Sequence, residues 1–80
     1  MRIDILYGVV VVSEDGGQNM NSFLKEESAT SNADEVIEAI KKVKKKNMKV
    51  YLSQLEYDSY NNRLLTTNLI DEYSELLFQS

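Results

Sequence analysis

"NLIDEYSELLFQS", Asn68–Ser80, decides the fold, because it settles how many helices the chain contains. Leu69, Ile70, Tyr73, Leu76 and Leu77 follow the i, i+1, i+4, i+7, i+8 spacing of an amphipathic helix. Asn68 stands where an N-cap belongs. Asp71 and Glu72 occupy the first turn, where negative charge suits the macrodipole. The spacing predicts a C-terminal helix.

Before it, "MKVYLSQLEY" (48–57) reads as a strand. Val50 and Leu52 share one phase and Tyr51, Leu55 and Tyr57 the other, so a bulge near Ser53–Gln54 is expected. Tyr51, Leu52 and Leu55 also suit a helix, which is the competing reading of 51–57. "DSYNN" (58–62) is turn chemistry, and "RLLTTN" (63–68) follows as the partner strand, with Leu55 expected opposite Leu65.

Residues 33–46 form the clearest helix pattern. Ala33, Val36, Ile37, Ile40 and Val43 make the apolar stripe. Asn32 is an N-cap candidate with Glu35 as its capping-box partner, and "SATSN" (28–32) reads as a loop. Asn47 suits a left-handed residue beyond the last turn.

At the other end of the chain, "RIDILYGVVVV" (2–12) reads as a strand rather than a leader: Asp4 interrupts any basic n-region and no cleavage pattern follows. Ile3, Ile5, Tyr7, Val9 and Val11 share one face; Leu6, Val10 and Val12 share the other. Apolarity on both faces predicts a central, doubly covered strand, with Gly8 marking a bulge or a close approach. "SEDGGQN" (13–19) is a turn and "MNSFLKEE" (20–27) the returning strand. The expected fold is α+β: one domain over residues 1–80, in the order β-β-α-β-β-α, with an antiparallel sheet and two amphipathic helices.

Eighty residues bury only about 60–65% of the surface that the unfolded chain exposes. No cysteine or histidine is present, which removes disulfides, thiolate metal sites and the commonest metal ligand. No apolar run approaches the ~20 residues of a membrane span. The expected compartment is the cytoplasm. Abundant Lys, Asn, Ile, Tyr and Ser without Pro, Trp, His or Cys give the look of an AT-rich coding sequence, as in low-GC bacteria and their phages.

"KKVKKKNMK" (41–49) holds six of the nine basic residues in a chain of net charge −4. On a helical wheel with Ile40 at zero, Lys41, Lys42, Lys45 and Lys46 fall at roughly 100°, 200°, 140° and 240°, all around the solvent side. Lys44 falls near 40°, at the edge of the buried face, where its stem can cover apolar surface. Asp34, Glu35 and Glu38 precede them, so the helix carries acid first and base last, as its dipole favours. Helix-end electrostatics accounts for the run without a ligand. By segment, residues 1–32 carry −3, residues 33–50 carry +3 and residues 51–80 carry −4. Two of the three parts repel a polyanion.

General-base histidine and nucleophilic cysteine are absent, and no GxGxxG or Walker A run occurs. "EDGG" (14–17) lacks the alternating ligands of a calcium loop and reads as a turn. A non-enzymatic protein with no cofactor and no metal is expected. The tyrosines are more informative. Tyr7 and Tyr73 read as core. Tyr57 and Tyr60 flank a turn with Glu56 and Asp58, a composition shared by protein interfaces, though tyrosines that merely cover a small sheet give the same pattern.

The reading is a non-catalytic protein-binding module: a small acidic regulator or inhibitor of a bacterial, phage or mobile-element system, acting on a protein partner such as a nucleic-acid-handling enzyme. Its expected partner-binding residues are Tyr57, Tyr60, Glu56, Asp58, Lys41, Lys42 and Lys45. The alternatives are a nucleic-acid-binding accessory protein that uses the Lys41–Lys46 helix end, and a homodimeric structural subunit. No membrane partner is expected.

Overall fold

The structure is a computed structural model describing residues 2–80. Its elements are β1 (Ile3–Val12), β2 (Gln18–Phe23), α1 (Glu26–Val43), β3 (Lys49–Asp58), β4 (Arg63–Leu64) and β5 (Glu75–Gln79). All strand pairs are antiparallel, in the order β2-β1-β3-β4, with β5 also against β3. β3 is the organiser. One edge pairs with β1 along its whole length, from Ile3↔Asp58 to Val12↔Lys49. Its other edge is shared: β5 takes Lys49–Leu52, and β4 takes Tyr57 and Asp58.

The β-β-α-β-β-α order with two helices is corrected by this topology. Among the described residues there is one helix, and the C-terminal segment supplies a strand. One local and one tertiary cause outweigh the helical spacing. The Asp71 carboxylate accepts from the Tyr73 backbone N–H at 2.9 Å, and the Ser74 N–H donates to the Asp71 carbonyl at 3.1 Å. This Asx-type turn uses, for a reversal, the residues assigned to a first helical turn. Beyond it, Leu76 and Phe78 line up with Tyr51 and Val50, satisfying a β3 edge that would otherwise be bare. Leu77 is the extra residue where the register shifts at Val50/Tyr51.

That shift replaces the bulge expected at Ser53–Gln54: the β1–β3 ladder runs through those residues unbroken. β2 spans 18–23, not 20–27. The β3–β4 hairpin exists, but the Leu65 N–H donates to the Glu56 carbonyl at 2.8 Å, one residue from the expected Leu55.

α1 begins at Glu26 and absorbs the "SATSN" loop. Lys25 is its N-cap residue, without a side-chain hydrogen bond, so Asn32 and Glu35 are helix interior. Ala29 and Ala33 are fully buried, because small side chains let the helix lie close on the sheet. They extend the Ile40 stripe by two turns. The Thr30 hydroxyl turns back to the Glu26 carbonyl at 3.0 Å. The helix ends in a Schellman arrangement: Lys44 is left-handed (φ 55°, ψ 38°), its N–H reaches the Lys41 carbonyl at 3.2 Å, and the Lys45 N–H reaches that of Ile40 at 3.3 Å. Val43 is exposed and lies outside the stripe. Asn47 is left-handed (φ 60°), as its residue type suggested, but in the loop after the helix.

The core lies mainly between α1 and one sheet face, where Val9, Val50, Ala29, Ala33 and Ile40 cluster with Tyr7, Phe23, Leu52 and Phe78 around them. Burying each large aliphatic contributes roughly 1.5–3 kcal/mol. The other face buries Val10 and Leu55, so β1 is apolar and covered on both sides. Among the described residues, no helix covers that second face. Met20 and Leu55 lean over Gly8: a Cβ there would meet Leu55 Cδ1 at 2.9 Å and Met20 Sδ at 3.0 Å. Gly8 marks a close approach within a regular ladder.

Candidate docking site at the open end of the sheet

β2 is six residues long and pairs only with Tyr7–Val12. The helix starts three residues after it, at the level of Tyr7, and runs back toward Val12 and Lys49. The far end of the helix-side face, with Ile3, Ile5, Gln54 and Glu56 in register, is left without a roof. Ile3 and Ile5 are about half exposed there, at 52% and 44%.

The chain after β4 borders this open end. The Glu56 N–H donates to Thr66 Oγ1 at 2.8 Å, fixing the start of the excursion to the edge of β3. Asp71 and Ser74 brace its return: the Asp71 N–H donates to Ser74 Oγ at 3.0 Å, and Ser74 Oγ lies 2.8 Å from Ser53 Oγ. The turn they hold lifts Tyr73 into solvent, where it is 85% exposed. Between sheet and excursion runs a groove of about 550 Å³, lined by Ile5, Leu55, Glu56, Thr66, Asp71 and Tyr73 among others. Ile5 is the exposed aliphatic side chain of the groove and its rim carries two carboxylates and a tyrosine, the mixture that anchors protein contacts.

Of the sequence-expected residues, Glu56 is in this groove. Tyr57 is half-buried on the opposite face of β3, beside Asp4 and Leu64 in register. Tyr60 stands in the turn, 81% exposed. Asp58 is only 1% exposed and its carboxylate is spent on that turn. It accepts from Asn61 Nδ2 at 2.7 Å, the Tyr60 N–H at 3.0 Å and the Asn61 N–H at 3.2 Å. The Asn61 side-chain amide, with the backbone donors behind it, holds the Asp58 carboxyl below its ordinary value against the opposing effect of burial. Asp58 therefore builds the turn that displays Tyr60.

The lysines do not share one face. Lys41 Nζ lies 5.7 Å from the Phe78 ring centroid and 3.9 Å from Glu38 Oε1, so it leans toward β5. Lys42 is exposed in the last helical turn. Lys45 lies beyond the helix and, with Lys46, borders a depression shared with Glu14 and Asp15 of the β1–β2 turn. Two carboxylates thus stand beside the basic loop, a placement that the linear charge pattern concealed.

The sequence missed Ile5 and Tyr73. Both were assigned to buried stripes. The early end of β2 at Phe23, which exposes Ile5 by limiting how far the following helix can reach, is a feature of the structure and not of the strand pattern over 20–27. Tyr73 offered no signal once its spacing was taken as helical. Among the described residues, no helix is long and apolar enough to cross a membrane. No protein-family model, curated protein or solved structure matches the chain.

Proposed function

We propose that this protein is a non-catalytic binding module: a small acidic cytoplasmic regulator or inhibitor of a bacterial or phage system that holds a protein partner at the open end of its sheet. The supporting observation is the exposure of Ile3, Ile5 and Tyr73 around an acidic-rimmed groove, on a domain too small to leave apolar surface bare without cost. Tyr73 supplies the anchor, Ile5 the apolar floor, and Glu56 and Asp71 the polar rim. Tyr60 extends the surface from the neighbouring turn. The lysine-rich loop supports a nucleic-acid reading less well, because Glu14 and Asp15 share its surface.

The test is capture from a low-GC bacterial lysate followed by reconstitution with the purified captured protein. Ile5→Glu and Tyr73→Ala are expected to abolish complex formation, while Lys41→Gln, Lys42→Gln and Lys45→Gln together leave it intact. Folding of each variant is checked by circular dichroism. A complex that survives Ile5→Glu with Tyr73→Ala, or low-salt binding of duplex or single-stranded nucleic acid that the lysine changes remove, overturns the reading.

A further inference from the structure

We propose that the outer edge of β2 accepts an extended, basic segment of a partner chain as a sixth strand, laid in the groove between β2 and α1. β2 is the terminal strand of its sheet. Among the described residues, no backbone group of Gln18–Phe23 is bonded to backbone outside the β1 ladder. Its inner register is regular from Tyr7↔Phe23 to Val12↔Gln18, so this edge carries no bulge to turn it away. Its sequence, QNMNSF, contains no charge and no proline, the devices that usually keep a free edge from pairing. The opposite edge is different. It is divided between β4 and β5, and the register shift at Leu77 interrupts it.

The Phe23 end of the edge also has the helix beside it. Phe23, Lys25 of the connection, and Glu27, Ser31, Asn32 and Glu35 of the helix line an open groove of about 540 Å³. Asn21 Nδ2 donates to Asn32 Oδ1 at 3.3 Å and ties the strand to the helix beside it. A strand added there offers alternate side chains to the helix side. From Glu26 to Glu38 the helix carries five acidic residues and no basic one, and Glu27 and Glu35 overhang the groove. The match is an extended segment whose helix-side positions carry lysine or arginine.

The same charges select against a second copy as the occupant. Antiparallel pairing of two β2 edges about a two-fold axis sets both helices on one face of the joined sheet. Glu27 and Glu35 of one copy then confront those of the other, a like-charge arrangement. This surface is separate from the Ile5–Tyr73 groove, and the proposal stands independently of that site.

The probe is a ten-residue peptide of alternating lysine and valine, with a glutamate–valine peptide and an N-methylated lysine–valine peptide as controls. Amide chemical shifts and hydrogen exchange of the full chain are followed at low salt. The lysine–valine peptide is expected to shift Gln18–Phe23 and slow exchange of the outward amides, whereas both controls leave them unchanged. Glu27→Gln with Glu35→Gln is expected to weaken binding about fivefold, the loss of two exposed charge pairs. Shifts confined to Ile5, Glu56 and Tyr73, equal binding by the N-methylated peptide, or binding unaffected by the glutamine changes overturns the proposal. So does protection of β2 that rises with protein concentration in the absence of peptide, the signature of self-pairing.

Discussion

Ser53 and Ser74 place their hydroxyl oxygens 2.8 Å apart, one in the middle of β3 and the other at the head of β5. Ser53 is 2% exposed, so this bond holds a buried hydroxyl and fixes the far end of the excursion that carries Tyr73. Ser74→Ala leaves the Ser53 oxygen without that partner and also removes the acceptor of the Asp71 N–H. The expected cost is about 1–2 kcal/mol. Ser53→Ala combined with Ser74→Ala is expected to cost clearly less than the sum of the single changes. Urea denaturation of the three variants measures the coupling, and additive losses refute it.

Lys44 takes the left-handed conformation that ends α1 (φ 55°), a position where a Cβ is a liability. Glycine relieves that strain but makes the unfolded chain freer, which offsets part of the gain. Lys44→Gly is therefore expected to raise unfolding free energy by about 0.5 kcal/mol. Asn47 is also left-handed (φ 60°), but it is not the residue that closes the helix. A stabilisation at position 47 with none at 44 contradicts this account of the helix end.

How legible this fold was depends on whether local pattern and tertiary demand agreed. The doubly apolar β1 was readable because Val9 and Val10 alternate between two covered faces. The start of α1 was not, because Ser28, Thr30, Ser31 and Asn32 look like loop while Ala29, the buried residue one turn before Ala33, is small and weakly apolar. The C-terminal segment was misread because Leu69, Ile70, Tyr73, Leu76 and Leu77 suit a helix. Their assignment rests on the Asp71–Ser74 turn and on a β3 edge that no local window contains. The candidate site inherited both errors. Glu56, named in the sequence for its interface-like neighbourhood, borders the groove, whereas the exposure of Ile5 and Tyr73 became visible only once the short reach of the helix and the strand character of β5 were known.

Acid sensitivity follows from two turns. The Asp58 carboxyl is lowered first by the Asn61 side chain, and the Asp15 carboxyl first by the Ser13 hydroxyl and then by the Gly17 N–H. Each group titrates below its unfolded value near 3.8, so the folded state favours the ionised form. Their stabilisation is present above that value and is lost as pH falls through the lowered pKa. The wild-type Tm is expected to drop between pH 4 and pH 2. Asp58→Asn is expected to have a lower Tm at pH 6 and a shallower fall on acidification. A constant Tm gap between wild type and Asp58→Asn across that range refutes the linkage.

Gly8 tests the packing of the sheet face that no helix covers. An alanine Cβ would lie 2.9 Å from Leu55 Cδ1 and 3.0 Å from Met20 Sδ, so Leu55 must shift and Met20 must give way to both the new methyl and Leu55. Leu55 is 1% exposed and has little room, whereas Met20 is half-buried and flexible. Gly8→Ala is expected to cost about 1 kcal/mol, at the low end of overpacking, because methionine yields. Met20→Ala removes the softer of the two contacts. The double variant Gly8→Ala, Met20→Ala is expected to be more stable than Met20→Ala alone, since the new methyl fills space that the methionine vacates. Thermal melts of the four proteins give the sign of that interaction. If the alanine at position 8 destabilises equally in both backgrounds, Leu55 is the rigid obstacle and Met20 takes no part in the close approach.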